Sequence, residues 1–241
     1  MISSTAAVVT GAARGIGAAI AQRLAVDGYD VGLLDVADCS DTAAVVRGAG
    51  RDAWTLQVDL TDRQAIREVL GVFVANHPVG VLVNNAGVIS TTPIADVADE
   101  EWDRVLAINL TAAVVSTQVV WPGMATRADG RLVYIGSRAS RTGGNNAGPA
   151  YVASKGGIQA LAIAAANEGA AVGIRANAVM PGPVATDMTK LASYTNEATA
   201  TPLGRMGRPA DIAAAVSYLA SDDSAFVTGT LLNVSGGLLM G

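Results

Sequence analysis

Thr10-Gly-Ala-Ala-Arg-Gly-Ile-Gly17 follows a short apolar run, Ala6-Ala-Val-Val-Thr10, and opens an amphipathic stretch from 16 to 27 that Gly28 ends. The apolar run is strand-sized and the stretch is helix-sized, so the glycines sit in a strand-to-helix turn. Glycines at 11, 15 and 17 let the backbone turn tightly and come close to a ligand. The helix start then aims amides and partial positive charge at an anion. The spacing is G-x-x-x-G-x-G rather than the commoner G-x-G-x-x-G. A glycine-rich turn alone is a weak signal, but this one stands where a dinucleotide pyrophosphate binds in an open α/β sheet. Gly11, Arg14, Gly15, Ile16 and Gly17 are the first candidate cofactor residues.

Outward from that turn, apolar runs alternate with helical stretches. Runs at 30–35, 53–59, 80–84, 130–136, 173–179 and 230–234 read as further strands. Continuous apolar strands separated by helices indicate a parallel sheet covered on both faces. The expected fold is α/β: a Rossmann-like, doubly wound parallel sheet of about seven strands with helices on both faces. No linker, repeat or low-complexity segment divides the chain, so residues 1–241 are expected to form one domain.

Composition narrows the function. Hydrophobic residues make up 51% of the 241 and charged residues 15%, so some surface is expected to be covered by other subunits. A net charge of −5 offers no basic field for nucleic acid. A single cysteine, Cys39, excludes an internal disulfide framework and reads as structural. His77 stands alone, and no metal site is expected. No basic leader or cleavage site precedes the first apolar run, and no run approaches the roughly 20 apolar residues that span a bilayer. No membrane partner and a cytoplasmic location are therefore expected.

The carboxyl ends of the strands carry further candidates. Asp35 closes the second strand about 20 residues after the glycine turn, where a carboxylate accepts hydrogen bonds from an adenosine ribose. It would repel a 2′-phosphate, which favours NAD over NADP. Arg14 argues the other way, since a guanidinium in this loop can pair with that phosphate. Asp59-Leu60 can hold the adenine edge. In Asn84-Asn-Ala-Gly87, small residues leave room for the adenosine ribose and asparagine amides can tie strand ends, so Asn85, Ala86 and Gly87 join the cofactor set.

Tyr151-Val-Ala-Ser-Lys155 places a phenol and an ammonium four residues apart. On a helix, i and i+4 share a face. A cation held beside a phenol favours the phenolate, so Tyr151 is expected to exchange a proton far below the usual tyrosine value of about 10. Ser137 ends a strand at Ile135-Gly-Ser137, where its hydroxyl can donate to a substrate oxygen. With a nicotinamide in reach, these groups suit the interconversion of an alcohol and a carbonyl.

Taken together, Thr10-Gly-x-x-x-Gly-Ile-Gly17, Asn84-Asn-Ala-Gly87, Asn109, Ser137, Tyr151-x-x-x-Lys155 and Pro181-Gly182 make the chain resemble the short-chain dehydrogenase/reductase family over essentially its whole length. The resemblance implies a seven-stranded Rossmann-like sheet, a nicotinamide cofactor and a homotetramer. It implies a catalytic set of Asn109, Ser137, Tyr151 and Lys155, with Lys155 also on the nicotinamide ribose and Asn109 holding a water that relays protons. It implies that Pro181, Gly182, Val184 and Thr186 shape the nicotinamide end, Val184 through its backbone and Thr186 through its hydroxyl.

There are two departures from the family pattern. Ser137 and Tyr151 are 14 residues apart, one more than is common. Ser235 stands where aspartate is frequent. Substrate choice is expected to come from 137–149, whose Gly143-Gly-Asn-Asn146 centre lines the pocket, and from 188–201, which reads as a lid. Arg138 and Arg141 can meet a carboxylate or phosphate, though solvated arginines are the plainer reading. Helix 156–167, apolar on nearly all sides, suits a subunit interface.

The leading reading is an NAD-dependent oxidoreductase acting on a small secondary alcohol or its ketone. The chain also resembles an NADPH-linked 3-oxoacyl carrier-protein reductase in length and motif order. A third reading is a nucleotide-binding sensor without turnover.

Overall fold

A computed structural model describes residues 5–144, 147–188 and 201–240. Seven parallel strands form one sheet in the order β3-β2-β1-β4-β5-β6-β7. They are β1 Ala6–Thr10, β2 Val31–Asp35, β3 Ala53–Gln57, β4 Val79–Asn84, β5 Gly130–Ile135, β6 Ile174–Pro181 and β7 Leu231–Val234. The helices are α1 Gly15–Val26, α2 Ser40–Gly48, α3 Arg63–Asn76, α4 Asp99–Leu106, α5 Ala112–Arg127, α6 Ala139–Thr142, α7 Pro149–Gly169 and α8 Pro209–Ala220. The doubly wound Rossmann-like sheet expected from the sequence is the fold observed.

Two apolar layers explain why the strands are apolar on both faces. One face packs α1, α2 and α8 through Ile20, Leu24, Val46, Ile212 and Val216. The other packs α3, α5 and α7 through Leu70, Phe73, Val120, Met124 and Ile158. Ile20, Leu70 and Leu82 have no exposed surface, and each such side chain contributes about 1.5–3 kcal/mol through burial. The winding reverses between β1 and β4, which are neighbours although two strands separate them in sequence. That reversal opens a crevice at the carboxyl ends of β1 and β4, and it locates the site.

Three local features differ from the sequence reading. β3 stops at Gln57, two residues short, because the Asp59 carboxylate accepts from the Thr61 amide (2.8 Å) and hydroxyl (2.9 Å) and starts a turn. β6 runs on to Pro181, because β7 pairs with it up to Pro181 opposite Val234. The third is a correction to the count of apolar runs. The continuous helix Asp99–Arg127 is 29 residues long, with a window of mean hydropathy 1.5, enough by length and composition to cross a bilayer. Asn109, Ser116 and Thr117 interrupt its apolar runs in sequence, yet all three are buried inside the domain. It is a core helix, packed through Val115, Val120 and Met124. His77 ends α3 and lies against the Trp54 and Phe73 rings, with centroids 4.2 and 4.7 Å away.

Candidate active site

A cleft of about 750 Å³ runs along the carboxyl ends of the strands. At one end is the β1–α1 turn. Gly11 has φ +66°, and a Cβ there would come 2.8 Å from the Ala86 Cα. A Cβ on Gly17 would overlap the Gly11 carbonyl oxygen and come 2.7 Å from the Asn85 amide nitrogen. The turn therefore closes only with glycine at both positions. Asn85 fixes it from the neighbouring strand: its amide donates to Thr10 O (2.9 Å) and Gly11 O (3.1 Å). The Thr10 hydroxyl accepts from the Asn85 and Ala86 amides, both at 3.0 Å. This backbone cradle at a helix start suits a pyrophosphate.

Asp35, at the end of the neighbouring strand β2, lies beside that turn and is held from two sides. One carboxylate oxygen accepts from the Ala13 amide (2.9 Å), the other from Ala37 (3.0 Å). Asp59 and Leu60 line the same end. Thr61 donors hold the Asp59 carboxyl below the usual aspartate range. Val36, Thr61 and Arg104 also line this end and have no motif that announces them. Arg104 comes from α4, 45 residues beyond Asp59, so only tertiary packing brings the two together.

The candidate catalytic groups Ser137, Tyr151 and Lys155 line the same cleft. Lys155 is one helical turn after Tyr151 on α7, with its amine 6.0 Å from the phenol ring centroid. The amine is buried and donates to Ile135 O at 2.8 Å. Burial lowers it from the usual 10.5 to about 8. A Cβ on Gly87 would come 3.2 Å from that amine, so the glycine leaves the lysine its space. Ser137 sits just past β5, and its hydroxyl oxygen accepts from the Ala139 amide at 3.1 Å. That bond leaves the hydroxyl proton available to a substrate oxygen.

Asn109 does not line the cleft but stands behind it, in a π-helical turn, Ala107–Thr111, between α4 and α5. Its side chain is a clamp. The oxygen accepts from Val88 N (2.8 Å), and the amide donates to Val88 O (2.9 Å) and the Ser154 hydroxyl (3.0 Å). It thus ties the loop after β4 to α7, where Tyr151 and Lys155 sit. π-turns of this kind recur at functional sites.

Beyond β6, Pro181, Gly182, Val184 and Thr186 line the far end. A Cβ on Gly182 would come 2.8 Å from the Ser235 Cα, so the two turns are packed backbone to backbone. The Ser235 hydroxyl accepts from Leu239 N at 3.0 Å, a local bond that explains a small polar residue here. Val184 pairs with Gly207 in an isolated parallel bridge, closed by Gly207 N to Pro183 O and Ala185 N to Gly207 O, both 2.9 Å. Nothing in the sequence had marked 205–208 as a brace for this loop. Asp187 and Met188 also line the cleft, while residues 189–200 of the expected lid and Asn145 and Asn146 of the expected pocket loop lie outside the described residues. Gly144 and Arg138, from the same loop, are in the wall.

All the cofactor candidates from Gly11 to Thr186, with Ser137, Tyr151 and Lys155, therefore border one cleft. A family model described as Enoyl-(Acyl carrier protein) reductase matches residues 11–239. A 2-dehydro-3-deoxy-D-gluconate 5-dehydrogenase of Pseudoalteromonas atlantica is 35% identical over 240 residues, 96% of this chain and 94% of the relative. The 3-oxoacyl-[acyl-carrier-protein] reductase FabG of Escherichia coli is 37% identical over 239 residues, 97% of each chain. Among solved structures, a protein of Beutenbergia cavernae assigned as an NAD(P)-dependent gluconate 5-dehydrogenase, with NADP bound, superposes with TM-score 0.92 at 36% identity, covering 98% and 97% of the two chains. A 3-oxoacyl-[acyl-carrier protein] reductase of Brucella melitensis with bound NAD gives 0.91 at 32%, covering 100% and 93%.

Fold, cleft and relatives define a nicotinamide-dependent oxidoreductase. The chain belongs to the short-chain dehydrogenase/reductase family.

Proposed function

We propose that the chain interconverts a secondary alcohol and its ketone with NAD as the preferred cofactor, Tyr151 acting as general acid and base. The observation that carries this reading is the single cleft shared by the glycine cradle, Ser137, Tyr151 and the buried Lys155. A bound nicotinamide supplies or accepts the hydride. The protein does the rest. Ser137 orients the substrate oxygen. Tyr151 takes the hydroxyl proton in oxidation and returns it in reduction. Lys155, held on the Ile135 carbonyl, places positive charge one turn from the phenol and favours its ionised form. Asn109 positions Val88 and Ser154 around this pair, and the proton relay through it that the resemblance implies is part of the proposal.

The NAD preference rests on magnitudes. A carboxylate facing a 2′-phosphate costs roughly 1–4 kcal/mol per unit charge between bulk-water and protein-surface dielectrics. Asp35 is held in place by two amides. Arg14 is exposed, and an exposed guanidinium pair is worth only about 0–1 kcal/mol. Asp35 therefore outweighs Arg14. The NADPH-linked 3-oxoacyl carrier-protein reductase stays as a second reading, favoured by Arg14 in the cleft wall and by relatives of that name. Initial rates with NADH and NADPH separate the two: a lower KM for NADPH rejects the NAD reading.

Replacement Tyr151→Phe tests the mechanism. Turnover should fall by at least about 1,000-fold, in the upper part of the range for a lost proton-transfer group, while NADH binding by fluorescence stays within threefold. A variant that keeps a tenth of wild-type turnover rules out the role given to Tyr151. Homotetramer assembly is also proposed, supported by the exposed, small and apolar face of α7 at Ala153, Ala160, Ile163 and Ala164. A monomer in light scattering at micromolar concentration refutes it.

A further inference from the structure

We infer that Gln159 and Ser140 form a strut that sets the Ser137 hydroxyl against Tyr151, with Gln159 a positioning residue for the reaction. The inference rests on the oxidoreductase reading above and deepens it. Ser137 and Tyr151 must face the same reacting oxygen, yet they stand on different elements. Ser137 lies just past β5, and Tyr151 is in the first turn of α7. Residues 138–150 join them. A connection of that length does not by itself hold two groups to the fraction of an ångström that the chemistry requires.

α7 supplies the missing constraint. Tyr151, Lys155 and Gln159 follow one another at intervals of four, so all three share one face of the helix. The first two line the cleft and Gln159 does not. Its side-chain amide instead donates to the Ser140 hydroxyl, which donates in turn to Ser137 O at 2.5 Å. Ser140 gives its one hydroxyl hydrogen to Ser137, so it must accept from Gln159, and the direction of the chain is set. The Ser140 backbone amide reaches the same carbonyl at 3.3 Å. From the other side, the Arg138 backbone amide donates to Pro181 O at 3.1 Å. Ser137 is thereby held between β6 and α7, and its hydroxyl oxygen takes the Ala139 amide at 3.1 Å. α6, which carries Ser140, is a single turn of four residues, too short to be stable through its own hydrogen bonds. It needs an outside anchor, and Gln159 is the one polar side chain that α7 offers between Lys155 and Asn167. Ser140 and Gln159 are both half-buried and outside the cleft wall, so they act on the reaction through Ser137.

The test is a double-mutant cycle on Gln159→Leu and Ser140→Ala, with Gln159→Glu beside it. Rates are taken with ethyl acetoacetate and NADH, and with D-gluconate and NAD. Each single variant should lower kcat by about 10–100-fold, the effect of a misplaced group. The double variant should be no worse than either, because both changes break one chain. Gln159→Glu keeps the size of the side chain but replaces its donor with an acceptor that competes for the Ser140 hydrogen. It should lose as much as the leucine variant, and it carries the test if that variant does not fold. NADH affinity by fluorescence should stay within threefold, and the apparent pKa values of the kcat/KM profile should not move, since Tyr151 and Lys155 keep their places. A glutamate variant as active as wild type, additive single losses, or losses matched by weaker NADH binding would overturn the inference. A second arm needs no turnover. In crystal structures with NADH bound, the Ser137 Oγ of Gln159→Glu should sit more than about 0.5 Å from its wild-type position. An unmoved Ser137 overturns the strut. If wild type turns over neither compound, the failure is that of the oxidoreductase reading, and this arm alone decides the strut.

Discussion

At the adenosine end of the cleft the walls are backbone. The Gly11 carbonyl occupies the space a Gly17 Cβ would need, and the Thr10 hydroxyl and Asn85 side-chain amide lock the turn through bonds to main-chain groups. At the substrate end the walls are side chains on short segments: Ser137 and Arg138 before α6, and a loop after β6 braced by the Val184–Gly207 bridge. The two ends read differently for a physical reason. A backbone cradle forbids most residues at set positions and so leaves a pattern in the sequence. A side-chain wall accepts many residues, and its meaning depends on where packing points them.

The sharpest way to break this contrast is Gly17→Ala. A methyl group pushed against a backbone carbonyl cannot be relieved by a rotamer change, and overpacking of this kind costs about 1–3 kcal/mol or more. NADH affinity should fall by about 100-fold, because the cradle must open to admit the methyl, and thermal stability should fall with it. If fluorescence titration finds NADH binding within threefold of wild type, the cradle is not as rigid as its geometry implies.

Asp35→Ala sharpens the comparison within the cofactor end, where a single side chain and not the backbone is asked to choose. The variant also frees the Ala13 and Ala37 amides, so both cofactors should bind more weakly. The informative quantity is the ratio of kcat/KM for NAD over NADP. It should shift toward NADP by about 10–100-fold, the removal of one close like-charge contact at the protein surface. An unmoved ratio places the discrimination elsewhere, with Arg14 the next residue to replace.

How far the sequence could be read follows from the same division. The seven strands, their parallel arrangement and the motif residues at their ends were legible because apolar runs and glycine spacings are local. Asn109 was found through its motif, but its grip on Val88 and Ser154 was not, because those partners lie 21 and 45 residues away. Arg104 beside Asp59 and the brace from 205–208 were invisible for the same reason. The helix Asp99–Arg127 shows the reverse error: counting uninterrupted apolar residues missed a span that is apolar on average although Asn109, Ser116 and Thr117 break it, and those three are buried inside the domain.

Lys155 stands at the seam between the two ends and makes the smallest but most specific prediction. Its amine is buried on the Ile135 carbonyl and titrates near 8 in the folded chain, against 10.5 when exposed. The folded state therefore releases this proton at lower pH than the unfolded state. Between about 8 and 10.5 the unfolded chain holds more protons, so stability from this group rises with pH across that window and is lost as pH falls through about 8. Compared with Lys155→Met, the cofactor-free wild type should gain a few degrees in Tm, roughly, from pH 7.5 to pH 10, with no relative change below the window. Calorimetry on the two proteins in parallel removes every other titrating group from the comparison. A flat difference would mean that the amine stays hydrated or finds an anionic partner. The positive charge that the mechanism places beside Tyr151 would then be held more firmly than burial allows.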